Sequence, residues 1–360
     1  MEITDILIHT VTIPLITPFK TALRTVTEIE NILVTVTTDS QLVGYGGAAP
    51  TAVITGDTLG SIMGGIEHIR ANIVGMSLEN SEPVFQTLNN CLVGNPSAKA
   101  AVDMALYDII AKSLNVPLYR LLGGKAHEIE TDITISLDTP EKMVAETLDK
   151  LKGGYQILKI KVGSDPELDI ERLQAVQDAA GPEMKIRIDA NQGWSAKEAV
   201  AVGRELQSRK LNIELMEQPV KARDFIGMKY VRDHLDMPVM ADESVFSPQD
   251  ALELVNMQAV DGLNIKLMKC GGIYNALKIA AIAETAGIPC MVGSMMESHV
   301  SVAAAAHFAV SRAIVKRFDL DAPLFCSKNP AVGGISYQGR SVIIPNEPGL
   351  GITAFRKSGK

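Results

Sequence analysis

Apolar and polar residues divide this chain into two textures. From Glu2 to Pro14 and from Glu28 to Thr38 they alternate at period two, as in strands with one covered face. Ser40 and the run Gly44–Gly47 supply turn residues, which predicts a meander. Helical patterns follow over Asp57–Ala71, Glu82–Cys91 and Ser97–Leu114, ending at VPLYRLLGG. Strands first and helices after predict an α+β domain over residues 1–125.

From Glu128 the pattern becomes a strict alternation of short β-branched runs with longer helical stretches. The runs are TDITISL (131–137), ILKIKVG (157–163), KIRIDAN (185–191), NIELMEQP (212–219), MPVMADES (237–244), GLNIKLMK (262–269), GIPCMVGS (287–294) and VKRFDLDAP (315–323). They are apolar on both faces, as strands of a covered parallel sheet are. Eight βα units predict an α/β fold, a (β/α)8-type barrel (a modified TIM barrel) over 126–328, with the first domain as its cap. No GxGxxG follows the first run, which argues against a dinucleotide fold. The tail, about 329–360, carries the hairpin signal VGGISYQG and is expected to rejoin the cap.

In such a barrel the chemistry gathers at the C-terminal strand ends. There the chain places Lys161, Asp189, Glu217, Asp242 and Lys266 on five consecutive runs, separated by 28, 28, 25 and 24 residues. Lys159 shares a face with Lys161 because residues two apart point the same way. Strand seven ends in Ser294, and strand eight in Asp319 and Asp321. A charge at a strand end is costly unless paired or metal-bound, so a purely structural role for all of them is disfavoured. Three carboxylates without His or Cys make a hard oxygen site suited to Mg²⁺. Strands two and six face each other in a ring of eight, so Lys161 and Lys266 approach a bound molecule from opposite sides. Lys159 and Mg²⁺ are expected to lower the pKa of Lys161 toward that of a useful base. Two bases with a metal between them point to α-proton chemistry beside a carboxylate, with inversion at carbon. Asp319 and Asp321, on the opposite arc, attract a cation.

Composition narrows the classes. The chain has 360 residues, 46% hydrophobic and 21% charged, with a net charge of −8. That is a soluble globular mix, and nothing in it favours a nucleic acid as partner. No apolar run reaches the roughly eighteen residues needed to span a bilayer, so no membrane association is expected. MEITDILIHTVTIPL reads as a strand, not a targeting segment. Cys91, Cys270, Cys290 and Cys326 are scattered, which fits a reducing cytoplasm. A homo-oligomer is expected. A Schiff-base aldolase would need no three-carboxylate site, and a retired barrel would not keep both lysines.

The motifs AVDMALYDIIAKSLNVPLYRLLGG, KIKVG, RIDANQGW, ELMEQP, ADES and NIKLMKCGG together resemble the enolase superfamily, in its muconate lactonizing enzyme subgroup. A lysine base working with Mg²⁺ is a known pattern of that superfamily. The resemblance covers essentially the whole chain. It implies Asp189, Glu217 and Asp242 as Mg²⁺ ligands, Lys161 and Lys266 as the acid/base pair, and Lys159 as an electrostatic helper. FDLDAP resembles the dipeptide epimerases, of the L-Ala-D/L-Glu type, where Asp319 and Asp321 would hold the substrate ammonium. PFKTALRTV (18–26) with Arg24 resembles their mobile loop over the pocket. Thr134, Ser294 and Met296 fall in segments that match the substrate pocket. A dipeptide is the expected substrate, with a C-terminal side chain either acidic or hydrophobic. N-acylamino acid racemases and o-succinylbenzoate synthases are the alternatives in this fold. The cap has GYGGAAP where the family pattern is GxGEAxP, so Gly47 replaces a Glu and leaves the side-chain preference open.

Overall fold

The computed structural model describes residues 1–125 and 127–356. The chain opens on a three-stranded antiparallel sheet of β1 (Ile3–Lys20), β2 (Thr25–Thr38) and β3 (Val43–Ala48), in that order. The first two strands run further than their alternation predicts. PFKTALRTV is therefore the tip of a hairpin, not a free loop, closed where the Thr21 amide donates to the Arg24 carbonyl at 2.9 Å.

Helices α1 (Leu59–Ile73), α2 (Ser81–Asn90), α3 (Pro96–Ser113) and the short α4 (Leu118–Leu121) follow. The Gly44–Gly47 run corrects the expected turn: it forms the middle of β3. A Cβ on Gly46 would lie 1.9 Å from the Ala101 carbonyl oxygen, and one on Gly44 2.0 Å from that of Ala105. Glycine is needed here because the backbone of α3 lies directly on the sheet.

The second part is a ring of parallel strands. After β4 (Glu128–Glu130) come β5 (Ile133–Ile135), β6 (Ile157–Lys161), β7 (Lys185–Asp189), β8 (Ile213–Glu217), β9 (Val239–Ala241), β10 (Gly262–Ile265), β11 (Cys290–Gly293) and β12 (Val315–Asp319). β5 to β12 pair in sequential order, all parallel. The ring is completed between first and last strands by two bonds: the Asp132 amide to the Phe318 carbonyl (3.3 Å) and the Leu320 amide to Thr131 Oγ1 (2.9 Å). The intervening helices are α5 (Pro140–Leu151), α6 (Pro166–Ala180), α7 (Ala196–Ser208), α8 (Phe225–His234), α9 (Pro248–Asn256), α10 (Leu267–Cys270), α11 (Ile273–Ala286), α12 (His299–Ala309) and α13 (Ala322–Phe325).

Their starts are written locally. Pro140, Pro166 and Pro248 occupy first turns where no amide donor is missed. Asp165 and Ser247 accept orphan amides as N-caps, and Ser195 with Glu198 forms a capping box. Leu215, Met240 and Met291 form a small apolar cluster separate from the main core. Each lies two residues before a strand-end position, so the cluster is the floor beneath that end.

The tail forms β13 (Ala331–Gly333), β14 (Ser336–Gln338), β15 (Ser341–Ile343) and β16 (Ile352–Phe355). β14 and β15 make a hairpin that continues onto β4, and β13 pairs with β16. The tail also reaches the first part of the chain: Leu350 N donates to Asp108 Oδ1 at 2.7 Å and Tyr45 Oη to the Thr353 carbonyl at 2.7 Å. Among the described residues no helix is long and apolar enough to cross a membrane.

The contact between β3 and α3 generates a stability prediction. Gly46→Ala should cost about 1–3 kcal/mol or more, because a backbone must retreat. Gly64→Ala, in exposed α1 with nothing near its would-be Cβ, should instead gain about 0.5–1 kcal/mol. Urea unfolding of both variants measures the contrast, and equal effects would contradict the interlock.

Candidate active site

Strand register builds the site. Lys161 is paired with Asp189, and Asp189 with Glu217, so the three form one row across β6, β7 and β8. Asp242 follows the last residue of β9 and Lys266 the last of β10. Lys159 lies one layer below Lys161, in a row with Thr134 on β5 and Arg187 on β7. The side chains of Lys159, Asp189, Glu217, Asp242 and Lys266 are nearly inaccessible.

Their charges are interleaved. Lys161 Nζ lies 2.5 Å from Asp189 Oδ2, and Lys266 Nζ lies 2.8 Å from Asp242 Oδ2. Lys159 Nζ contacts Asp319 Oδ2 (2.7 Å), Glu217 Oε2 (2.8 Å) and Asp189 Oδ2 (3.1 Å). Lys159 thus serves the carboxylates, not only its expected partner Lys161. Burial opposes its charge, but Asp319, Glu217 and Asp189 outweigh that and raise its pKa well above the usual lysine value. Burial also opposes ionisation of Asp189 and Asp242, and the adjoining lysines win at both, holding them below the ordinary carboxylate range. Glu217 goes the other way: burial, then Asp189, push it up to about 7.

Carboxylate oxygens of Asp189, Glu217 and Asp242 lie within 4.8 Å of one another. Glu217 Oε1 is held by Asn264 Nδ2 at 2.7 Å, and Oε2 is paired with Lys159 Nζ at 2.8 Å. An all-oxygen trio of buried carboxylates fits a hard divalent cation such as Mg²⁺.

A second acidic trio, Asp132, Asp319 and Asp321, gathers across the ring. The Thr134 amide donates to Asp321 Oδ2 at 2.7 Å. Burial and Asp319 raise Asp321 to about 6. Arg187 supports this trio from below, with Nη1 2.8 Å from Asp132 Oδ2 and Nε 2.6 Å from Glu214 Oε2.

Above both trios lies a pocket open to solvent. Lys161 and Lys266 line it, as do Thr134, Ser294, Met296, Asp319, Asp321 and Arg24. Lys159, Asp189, Glu217 and Asp242 lie outside that lining and are buried. Arg24 enters from the β1–β2 hairpin, and burial, which no neighbouring carboxylate offsets, lowers its pKa. The hairpin is docked on the barrel by a Lys20–Asp138 ion pair and by the Leu137 amide on the Lys20 carbonyl at 3.0 Å. Phe19, Val53, Ile54 and Met295 supply apolar wall beside Arg24.

Sequence reasoning missed Asp132 and Arg187, although each lies two residues before an assigned inward position. It also missed Asn191, which lines the pocket with φ of +43° and donates to Glu243 Oε1 at 3.2 Å. Trp194 packs the loop, its Nε1 3.3 Å from Asp169 Oδ2. His299 is not in the pocket lining; it meets Tyr337 edge-on with ring centroids 6.2 Å apart.

Two family descriptions match consecutive parts of the chain. Residues 3–123 match the mandelate racemase/muconate lactonizing enzyme N-terminal domain, and 142–357 the enolase C-terminal domain-like family. The chain belongs to the enolase superfamily, in its mandelate racemase/muconate lactonizing enzyme branch. An L-Ala-D/L-Glu epimerase of Clostridium acetobutylicum is 50% identical over 353 residues, covering 98% of this chain and 99% of that one. The L-Ala-D/L-Glu epimerase of Bacillus subtilis, solved as a substrate-liganded complex, is 48% identical with a TM-score of 0.98, over 99% of this chain and 100% of that one. The dipeptide epimerase of Enterococcus faecalis, solved with Mg and L-Leu-L-Tyr, is 42% identical with a TM-score of 0.95, over 98% and 100%.

Within this superfamily member, Gly47 lies against the start of α12. Its would-be Cβ faces the Ser301 amide and Val300 Cβ, both at 3.5 Å, on α12. Position 47 is absent from the pocket lining.

The support beneath the second acidic trio is testable. Arg187→Met leaves Asp132 buried without its cation and should cost about 3–5 kcal/mol. Lys142→Met, which breaks an exposed pair with Asp138, should cost less than about 1 kcal/mol. Chemical denaturation distinguishes them; a mild Arg187 variant would mean that Asp132 needs no partner.

Proposed function

We propose that this chain is a Mg²⁺-dependent dipeptide epimerase that inverts the α-carbon of the C-terminal residue of an L,L-dipeptide. The observation that carries the reading is the placement of Lys161 and Lys266 on one pocket, each tethered to a different carboxylate of the Asp189, Glu217, Asp242 trio. Relatives of 42–50% identity that are dipeptide epimerases, one solved with Mg, support it.

Asp189, Glu217 and Asp242 would hold the Mg²⁺. When bound, it supplies positive charge to offset what develops on the substrate carboxylate as the α-proton leaves. Lys161 on one face, in its neutral form, takes that proton onto Nζ while the electron pair moves into the carboxylate. Lys266 on the other face returns a proton from its ammonium, and the configuration inverts. The opposite epimer exchanges the roles. Lys159 adds positive charge from below and keeps Glu217 and Asp319 in place. Only the C-terminal residue has a free carboxylate next to an α-carbon, so that centre reacts.

Asp319 and Asp321 receive the substrate ammonium, with Thr134 fixing Asp321. Their charge favours a dipeptide over the N-acylated substrates of the alternative activities. Arg24, half-buried against apolar wall with no acidic partner among the described residues, favours a glutamate side chain at the C-terminal residue. Ser294 and Met296 shape the same end. In this reading residues 1–125 with the tail, about 329–360, form the cap and 126–328 the catalytic barrel. A cytoplasmic homo-oligomer completes the proposal; the four cysteines are free thiols, consistent with a reducing compartment.

Incubation with Mg²⁺ in D₂O tests the reading. L-Ala-L-Glu should gain deuterium at the glutamate α-carbon, and chelation should stop the exchange. Lys161→Ala and Lys266→Ala should each lose about 10²–10⁴-fold in epimerisation. Label at the alanine α-carbon, or turnover in excess chelator, would defeat the mechanism.

Selectivity is a separate measurement. Arg24→Met should lower kcat/KM for L-Ala-L-Glu by roughly 10²-fold, the order expected when a charged partner worth about 2–5 kcal/mol is removed. Better turnover of L-Leu-L-Tyr by the unaltered enzyme would move the assignment to hydrophobic dipeptides.

A further inference from the structure

Two ammonium groups grip one carboxylate at the end of β9. Lys266 Nζ meets Asp242 Oδ2 at 2.8 Å and lines the pocket. Lys269 Nζ meets Asp242 Oδ1 at 2.5 Å and takes no part in the pocket lining. Its side chain is wholly buried and backs onto a separate polar groove between α2, α3 and the barrel, walled in part by Asn89, Lys99 and Asn275.

The remaining donors of Lys269 are also committed. Nζ donates to the Asn264 carbonyl at 2.9 Å and to the carbonyl of Asp242 itself. An ammonium has three N–H donors, so all of them are used on fixed acceptors. α10, which is one helical turn long, carries Lys269 away from the pocket after Lys266. With Oδ1 pinned in this way, the carboxylate cannot swing, and Oδ2 stays turned toward Lys266.

We propose that Lys269 is a positioning residue that clamps Asp242 Oδ1 and so fixes the orientation in which Asp242 faces the cation site. This rests on the reading of Asp189, Glu217 and Asp242 as Mg²⁺ ligands. Lys269 touches neither substrate nor metal; it acts through Asp242.

The sign of the effect separates a clamp from a mere charge. A buried cation near a metal site repels the metal, so neutralising Lys269 would tighten Mg²⁺ binding if electrostatics alone mattered. Losing an outer contact that orients a ligand instead weakens metal binding, typically 10–100-fold. The clamp therefore predicts weaker binding from the loss of a repelling charge.

Calorimetric titration of Mg²⁺ into substrate-free, full-length protein reads this directly. Lys269→Met should weaken Mg²⁺ by about tenfold or more, and Lys269→Gln, which keeps an N–H donor, should recover part of the loss. Asp242→Asn should weaken Mg²⁺ as well, and the Asp242→Asn/Lys269→Met double variant should bind no worse than Asp242→Asn alone, because both act on one carboxylate. Circular dichroism verifies folding, and Lys269→Gln carries the comparison if the Met variant does not fold. Unchanged or tighter binding in the Lys269 variants, with Asp242→Asn still impaired, would overturn the clamp and leave the metal site standing. Unaltered Mg²⁺ affinity in Asp242→Asn would overturn the metal-site reading and the clamp together.

Discussion

Charge balance inside a low-dielectric barrel end is the constraint on which the rest of the molecule depends. Asp189, Glu217, Asp242 and Asp319 are buried together and are tolerable as anions only because Lys159, Lys161, Lys266 and Lys269 are threaded among them. The ammonium groups, equally costly to bury, need the carboxylates in return. Neither set can be placed without the other. The strands must therefore stay in register, because a one-residue slip would turn the row Lys161, Asp189, Glu217 out into the helix layer. The apolar floor of Leu215, Met240 and Met291 and the caps that start each helix hold that register.

The same constraint explains what could be read from the chain. In a ring of parallel strands every strand end lies at one level, so ionisable residues recurring at that level stand out against apolar runs. Lys161, Asp189, Glu217, Asp242 and Lys266 were legible for that reason, and Lys159 by the alternation of a strand. Asp132 and Arg187 obey the same alternation, but they lie one layer deeper, where apolar filling is the rule and an ion pair is the exception. Lys269 escaped because α10 replaces the strand after Lys266, and the period changes there.

Turn chemistry misled in the first part of the chain. Gly44–Gly47 has the composition of a turn, and only the approach of α3 shows that the glycines serve contact between backbones. For the glycine run a tertiary neighbour, invisible in local sequence, decided the conformation. The stretch matched as a mobile loop over the pocket is the tip of the β1–β2 hairpin, and its Arg24 lines the pocket. The direction of position 47, toward α12, likewise follows from packing and not from the motif that contains it.

The hairpin that carries Arg24 divides the labour of the molecule between segments more than a hundred residues apart along the chain. Lys161 and Lys266 stand at barrel strand ends and are locked among carboxylates by charge, so almost any exchange there disturbs several partners. Arg24 stands apart from that web; its hairpin is docked by Lys20 on Asp138, by the Leu137 amide on the Lys20 carbonyl and by Phe19 edge-on to Phe325. A change at the hairpin tip can therefore reshape one wall of the pocket while the ion pairs beneath it stay as they are. A pocket assembled in this way is adjustable at its rim and fixed at its base.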